Sequence, residues 1–188
     1  MSLVGKGKLL TRRLLTRGLL FRPSLERARG REIVAASITT ILALGSEFAL
    51  SSLAGSSAIL PSLAGSCVIL FGAPRLEMAA PRSFFGGHII GVAVGMTFQA
   101  SSRLMVGPTE LQCVVGAVAV TLALMLATNT VHSPAGASPI VVILGHVSLR
   151  DATVSLIIGL GSLYFWSLVY RRLFASNVAS CRIRAFRS

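Results

Sequence analysis

Two short segments, the first containing glycine and the second containing glycine and proline, interrupt the long apolar runs of this chain. The first short segment comprises residues 62–72, and the second short segment comprises residues 133–145. Each opens with a serine, continues with an Ala-Gly pair and closes with an aliphatic run. Neither is an ordinary spanning helix, which needs about 20 apolar residues. Paired broken segments at matching places in two halves indicate a transporter-type binding site.

The composition predicts an integral membrane protein. Of the 188 residues, 53% are hydrophobic and only 13% are charged, whereas about 25% of a typical soluble domain is charged. This length is sufficient for one compact bundle and no sizeable extramembrane domain. We therefore expect the chain to be embedded in the lipid bilayer.

The basic residues are concentrated at the two ends of the chain. Nine of the 18 Lys and Arg residues lie before Ile33, and five lie at or after Arg171. This asymmetry predicts cytoplasmic termini. We expect a basic tail or amphipathic helix at residues 1–32, a transmembrane domain at residues 33–173 and a basic tail at residues 174–188. Nucleic acid is not an expected partner, because no basic fold or aromatic platform lies between the ends.

The hydrophobic pattern predicts an all-α, polytopic transmembrane helical bundle. Four long spans and the two short interrupted segments would form two related halves, the long spans being at about residues 33–53, 84–101, 111–128 and 153–170. If the short segments cross the membrane, the halves are inverted and Arg75 and Arg82 are cytoplasmic. If they are re-entrant, the halves are parallel and both arginines face outward. The positive-inside rule favours crossing.

Three glycines form a stripe along the span at residues 84–101. Gly87, Gly91 and Gly95 are spaced four residues apart, so they share one helix face. Small residues at this spacing allow helices to approach closely in lipid. The stripe predicts a packing face, and together with the small size of the chain it favours a homo-oligomer.

Three separated motifs follow one another along the chain. The first is Phe71-Gly72-Ala73-Pro74. The second is Pro81-Arg82 with Gly86-Gly87-His88, and the third is His132-Ser133-Pro134-Ala135-Gly136. Their order and spacing resemble the HPP family of small integral membrane proteins. Ser133 stands where that family has the first proline of its naming motif. The resemblance implies four membrane-spanning helices. Because plant and cyanobacterial relatives are associated with nitrite transport, it also implies a nitrite-like substrate.

The breaks in the two short segments are candidate anion sites. A helix that begins near Ser133 would expose unpaired N–H groups and the positive end of its dipole, both of which favour an anion. We apply the same argument at Gly65 and Ser66. The predicted substrate-binding residues are therefore Gly65, Ser66, Arg82, Asn129, His132, Ser133 and Gly136. In the alternative interpretation, Asn129 and His132 only satisfy carbonyls freed at the break, and Arg82 only anchors the helix at the interface.

Two further residues are candidates for proton coupling. Glu47 is an acid within a predicted span, where an ionisable group is costly and a functional role is the default hypothesis. His88 lies in the next long span as either a proton relay or a hydrogen-bonded packing residue. His132 is a third ionisable candidate, since a histidine side chain can exchange a proton near neutral pH.

Other functional classes have little support in the sequence. No serine lies in a Gly-x-Ser-x-Gly elbow, and the three histidines are too dispersed for a metal site. We therefore expect no enzyme, no catalytic residue, no metal and no cofactor. The hypothesis is a membrane permease for a small inorganic anion, with or without proton coupling. The alternative is a non-transporting membrane subunit or sensor partner. A bacterial inner membrane is the expected location, with an organelle membrane as the alternative.

Overall fold

The described part of the chain consists of helices and their connections. A computed structural model describes residues 30–55, 61–104 and 109–174. The α-helices are α1 (Gly30–Leu53), α2 (Pro61–Cys67), α3 (Pro81–Leu104), α4 (Glu110–Ala127), α5 (Ser138–Leu144) and α6 (Leu149–Phe174). A π-helical turn at Val68–Gly72 continues α2, and 3₁₀ helices occupy Glu77–Ala79 and Ser133–Ala137. The predicted basic tails lie almost wholly outside the described residues.

Three helices in the described ranges are long and apolar enough to cross a membrane. They are α1, α4 and α6. They correspond to three of the four long spans that the sequence predicted. α3 has 24 residues, which at 1.5 Å per residue is about 36 Å, but it is less apolar because it carries Arg82, His88 and Gln99 in addition to the glycine stripe.

Large aliphatic side chains of α1 point outward, whereas its buried positions are small or polar. Ile41 is 70% exposed and Leu53 is 86% exposed. The buried positions are Ala35, Thr39, Ala43, Glu47 and Ser51. This pattern suits lipid, because burying large apolar side chains gives no driving force when the surroundings are themselves apolar.

The glycine stripe of α3 is a packing face, as predicted, and its partner is the second short segment. A Cβ atom added at Gly91 would lie 2.6 Å from the carbonyl oxygen of Ala135, and one added at Gly95 would lie 2.8 Å from Cα of Pro139. The backbones of the two elements therefore approach as closely as glycine allows. Because the stripe is occupied within the chain, it is not available for the expected contact between subunits.

The two short segments lie against each other. The Oγ atoms of Ser62 and Ser138 are 3.1 Å apart. A Cβ atom added at Gly65 would lie 3.1 Å from Cβ of Pro134. The first short segment and the second therefore meet within the bundle.

The helix starts in the two short segments differ from the prediction in one case. The second short segment begins as a 3₁₀ helix at Ser133, as predicted. The expectation that Gly65 and Ser66 lie at a helix start is wrong, because α2 already begins at Pro61. Proline is well suited to the first helical turn, since its fixed φ matches the helix and it has no N–H to satisfy.

Two arginines donate hydrogen bonds to backbone carbonyl groups at one end of the bundle, which we call the arginine end. Nη2 of Arg82 donates to the Thr128 carbonyl at 2.6 Å. Nη2 of Arg171 donates to the Ala79 carbonyl at 2.7 Å. The start of α3 and the ends of α4 and α6 therefore lie at this end, together with the connection before α3.

Different contacts close the opposite end of the bundle. Nη2 of Arg150, in the first turn of α6, donates to the Ala54 carbonyl after α1 at 3.3 Å. Nε2 of His146, just after α5, lies 3.3 Å from Oε1 of Glu110 at the start of α4. α1 and α6 are therefore antiparallel neighbours.

Candidate functional site

Five buried polar side chains meet between the first short segment, the second short segment and α3. We call them the serine–histidine cluster, and they are Ser62, Ser66, His88, His132 and Ser138. Each is at most 2% exposed. Polar groups buried in a membrane protein need partners inside the protein, because lipid offers none. The cluster therefore has to satisfy its own hydrogen bonds.

Ser66 lies at the centre of the cluster. Its Oγ atom is 2.8 Å from Nε2 of His88 and 2.9 Å from Nε2 of His132. The same atom is 2.9 Å from the carbonyl oxygen of Ser62, one helical turn earlier. A single hydroxyl of the first short segment thus links α3 to the residue that precedes the second short segment.

His132 is held from both sides of its ring. Its Nδ1 atom lies 2.8 Å from the carbonyl oxygen of Met78 in the connection before α3. The edge of the ring stacks against Phe84, with ring centroids 5.4 Å apart. Gly87 permits this position, because a Cβ atom there would lie 2.8 Å from Cβ of His132.

His88 completes the cluster from α3. Its ring centroid is 5.2 Å from that of His132. Its Nδ1 atom lies 3.4 Å from Oγ of Ser138, and Ser138 is in turn paired with Ser62 across the two short segments. The cluster is therefore a continuous series of hydrogen bonds that begins at Ser62 and ends at the Met78 carbonyl.

The structure brings three of the predicted site residues into direct contact. Ser66 and His132, predicted for substrate binding, join His88, predicted for proton coupling. Gly65 lies beside them, against Pro134. The predicted meeting of the two short segments therefore places these residues together, although the groups that meet are side chains and not helix N-termini.

The remaining predicted substrate-binding residues lie outside the cluster. Asn129 is exposed and has a left-handed backbone with φ of 54°. Ser133 is also exposed, and Gly136 is partly exposed. Arg82 is at the arginine end, where it donates to the Thr128 carbonyl. These residues surround the start of the second short segment and the approach to it.

The comparison with known families agrees with this arrangement of motifs. The family model described as HPP, transmembrane region, matches residues 25–179. The chain belongs to the HPP family. The resemblance indicated by the three sequence motifs is thereby confirmed, and the match covers the whole described part of the chain.

Two relatives of this HPP protein are transmembrane proteins of Dictyostelium discoideum. One is 32% identical over 78 residues, which is 42% of this chain and 27% of the relative. The other is 35% identical over 79 residues, which is 41% of this chain and 24% of the relative. This chain thus spans about a quarter of the length of the curated relatives it matches. No solved structure matches it.

Glu47 of the HPP protein is buried on α1, apart from the hydrogen bonds of the cluster. Its Oε1 atom accepts from Oγ of Ser51 at 3.5 Å. The hydrogen bonds of His88 go to Ser66 and Ser138. The two residues predicted for proton coupling are therefore not joined to each other.

Sequence reasoning missed Ser62 and Ser138 as members of the site. Ser138 begins a second Ser-Pro pair, five residues after the pair at Ser133, and this repetition was a usable signal. Ser62 opens the first short segment, but its contact with Ser138 depends on how the segments pack. In the ranges that the structure covers, no third histidine, cysteine or carboxylate joins the two imidazoles in a metal-binding group.

Proposed function

We propose that this HPP protein is a permease for a small inorganic anion, nitrite-like in size and charge, whose passage is coupled to a proton. The observation that carries the proposal is the contact of Ser66 with both His88 and His132. Buried ionisable groups are costly in a membrane and mark ion pathways or proton relays. The hydroxyl and imidazole groups supply hydrogen-bond donors for an oxyanion and titratable nitrogens for a proton.

We further propose that the chain consists of two inverted halves, with α3 as the fourth long span. The first half comprises α1, the first short segment and α3, and the second comprises α4, the second short segment and α6. The first short segment is followed by Ala79 at the arginine end, whereas the second is followed by His146 at the opposite end. The two short segments therefore run in opposite directions between the ends of the bundle, which supports two crossing segments, one in each half.

The arginine end is the proposed cytoplasmic entrance. Arg75, Arg82, Arg171 and Arg172 lie on the elements that meet there, and the positive-inside rule assigns such an end to the cytoplasm. A positive mouth raises the local concentration of an anion. Arg82 is exposed at the start of α3, and we propose that an anion meets it on the way to the cluster.

Uptake of nitrite into vesicles that contain only the purified protein tests the permease. A pH gradient, acidic outside, drives accumulation if a proton accompanies the anion. We expect His132→Asn and Ser66→Ala to lower the initial rate about tenfold or more, since each removes a hydrogen bond of about 1.4 kcal/mol or more from a buried site. His146→Asn is the matched control, because His146 is exposed at the opposite end.

Arg82→Ala tests the entrance in the same vesicles. We expect a lower rate at low nitrite concentration and recovery at high concentration, because the cation raises local substrate concentration without binding tightly. Absence of flux for nitrite and every other small anion, with correctly folded protein, contradicts the permease. If another membrane protein also co-purifies, the chain is a non-transporting subunit.

A further inference from the structure

The hydrogen-bond partners of the two imidazoles determine where their hydrogens lie. The Met78 carbonyl can only accept, so Nδ1 of His132 must carry a hydrogen. In a neutral ring Nε2 of His132 is then an acceptor, and the Ser66 hydroxyl donates to it. A serine hydroxyl has one hydrogen. His88 must therefore donate from its own Nε2 to Ser66.

The same reasoning continues to the other end of the cluster. Because the hydrogen of His88 is on Nε2, its Nδ1 is an acceptor, and Ser138 donates to it. Ser62 then donates to Ser138. All hydrogens point in one direction, from Ser62 to the Met78 carbonyl, and the two histidines are opposite tautomers that share one hydroxyl.

Ser66 has a second acceptor within reach. The Ser62 carbonyl oxygen is 2.9 Å from Ser66 Oγ. When His132 gains a proton, both of its nitrogens become donors, so Ser66 can no longer donate to Nε2. Rotation of the Ser66 hydroxyl toward the Ser62 carbonyl turns its lone pairs to both imidazoles. Every donor then has an acceptor, and no heavy atom has to move.

We propose that Ser66, His88 and His132 form a binding site for a single proton, which bonds to Nε2 of His132 as the Ser66 hydroxyl turns to the Ser62 carbonyl. The O–H bond of Ser66 is not broken, and the charge of the cluster rises by one. Its place in a transport cycle rests on the proposed function, but the proton site itself does not. The hydrogen bond of Glu47 goes to Ser51 and not to this site.

The surroundings limit the cluster to one proton. A second proton would place two imidazolium rings with centroids 5.2 Å apart in a buried position. The buried titratable side chains on the surrounding elements are Glu47 on α1, Cys67 on α2, Cys113 on α4 and Tyr170 on α6. Charged side chains toward the ends of these elements include Arg75, Glu77, Arg82, Glu110, Arg150, Asp151, Arg171 and Arg172. The hydrogen bonds of both imidazoles go instead to Ser66, Ser138 and the Met78 carbonyl. No counter-charge is hydrogen-bonded to either imidazole, so an anion bound beside them would neutralise the added charge.

Nitrogen-15 NMR of histidine-labelled protein in lipid vesicles tests the proton site directly. The chain has three histidines, and His146→Asn leaves only the two of the cluster. At high pH we expect one ring with hydrogen on Nδ1 and one with hydrogen on Nε2. As the pH is lowered in the presence of nitrite, within the range where the helical circular dichroism spectrum is unchanged, one imidazolium per chain forms, at His132.

Two serine variants separate the role of the hydroxyl from a general effect on packing. In Ser66→Ala the imidazolium loses a charge-assisted hydrogen bond and the neutral ring loses a weaker one, so proton affinity falls about tenfold. Ser62→Ala keeps the carbonyl that Ser66 uses, and we expect the proton affinity of His132 to be unchanged within about twofold. Identical tautomers, two imidazolium rings, no imidazolium or an unchanged affinity in Ser66→Ala would overturn the proposal.

The NMR result and the vesicle assay fail independently. Opposite tautomers with one imidazolium per chain, but no flux of any anion, leave the proton site standing and remove the permease. Flux that persists with two identical tautomers removes the proton site and leaves the permease.

Discussion

The two short segments pack against their long neighbours in different ways. α3 meets the second short segment backbone to backbone, and a methyl group at Gly91 would strike the Ala135 carbonyl. α6 meets the first short segment through Gly159, where a methyl group would strike the end of the Leu63 side chain. The first contact leaves no freedom for adjustment, whereas the second involves atoms that can rotate away.

This difference indicates which part of the bundle is fixed and which can move. Protein backbones in contact behave as one rigid body, because close packing does not deform continuously. We therefore expect α3 and the second short segment to keep their arrangement, with His88 and His132 fixed relative to each other. The first short segment contributes Ser66 and ends in a π-helical turn at Val68–Gly72, a feature that often marks functional positions in helices.

Gly91→Ala should produce the largest loss of stability. The added methyl meets a backbone oxygen at 2.6 Å, and overpacking of this kind costs about 1–3 kcal/mol, against a gain in helix propensity of about 1 kcal/mol. We expect the free energy of unfolding to fall by up to about 2 kcal/mol from these two terms. Denaturant unfolding in detergent micelles, followed by circular dichroism, measures it.

Gly161→Ala on α6 is the control for this substitution. An added Cβ atom at Gly161 has no neighbour within 4 Å, so only the gain in helix propensity remains. The control should be neutral or stabilising. Equal losses in Gly91→Ala and Gly161→Ala would show that the close approach of α3 to the second short segment is not a determinant of stability.

The long helices and the glycine stripe were predictable because they depend on local spacing. A run of apolar residues, or glycines four apart, is visible in the sequence whatever the rest of the chain does. The predicted span at residues 33–53 ends where α1 ends, at Leu53, and begins only three residues late. The start of α2 also has a local signal, because proline suits the first helical turn and α2 begins at Pro61, which places Gly65 inside the helix.

The cluster itself was only partly predictable. Ser66, His88 and His132 were chosen as candidates from separate local patterns, but nothing in their spacing shows that one hydroxyl contacts both rings. That contact depends on the two short segments meeting and on the close approach that Gly87 allows. Asn129 was expected at the binding site but lies outside the cluster. Its left-handed backbone belongs to the turn after α4.

Ser46→Ala should have a smaller effect than Gly91→Ala, since α1 is held to α6 by hydroxyl groups. Ser46 Oγ is 2.7 Å from Ser162 Oγ and accepts from Nε1 of Trp166 at 3.1 Å. Ser162 keeps a second partner, the Ala43 carbonyl, so we expect a loss of about 0.5–1.5 kcal/mol. Trp166 is the single tryptophan of the chain, and its emission should move to shorter wavelength. An unchanged spectrum would contradict this contact.

Gly159→Ala should have the smallest effect, and it tests the comparison most directly. The added methyl meets Cδ1 of Leu63, which can turn to another rotamer at a cost of about 0.5–1.5 kcal/mol, while helix propensity returns about 1 kcal/mol. The two terms nearly cancel, so we expect unfolding free energy within about 0.5 kcal/mol of the wild type. A loss as large as that of Gly91→Ala would mean that the first short segment is packed as rigidly as the second. The first short segment would then have no room to move against α6 at Gly159.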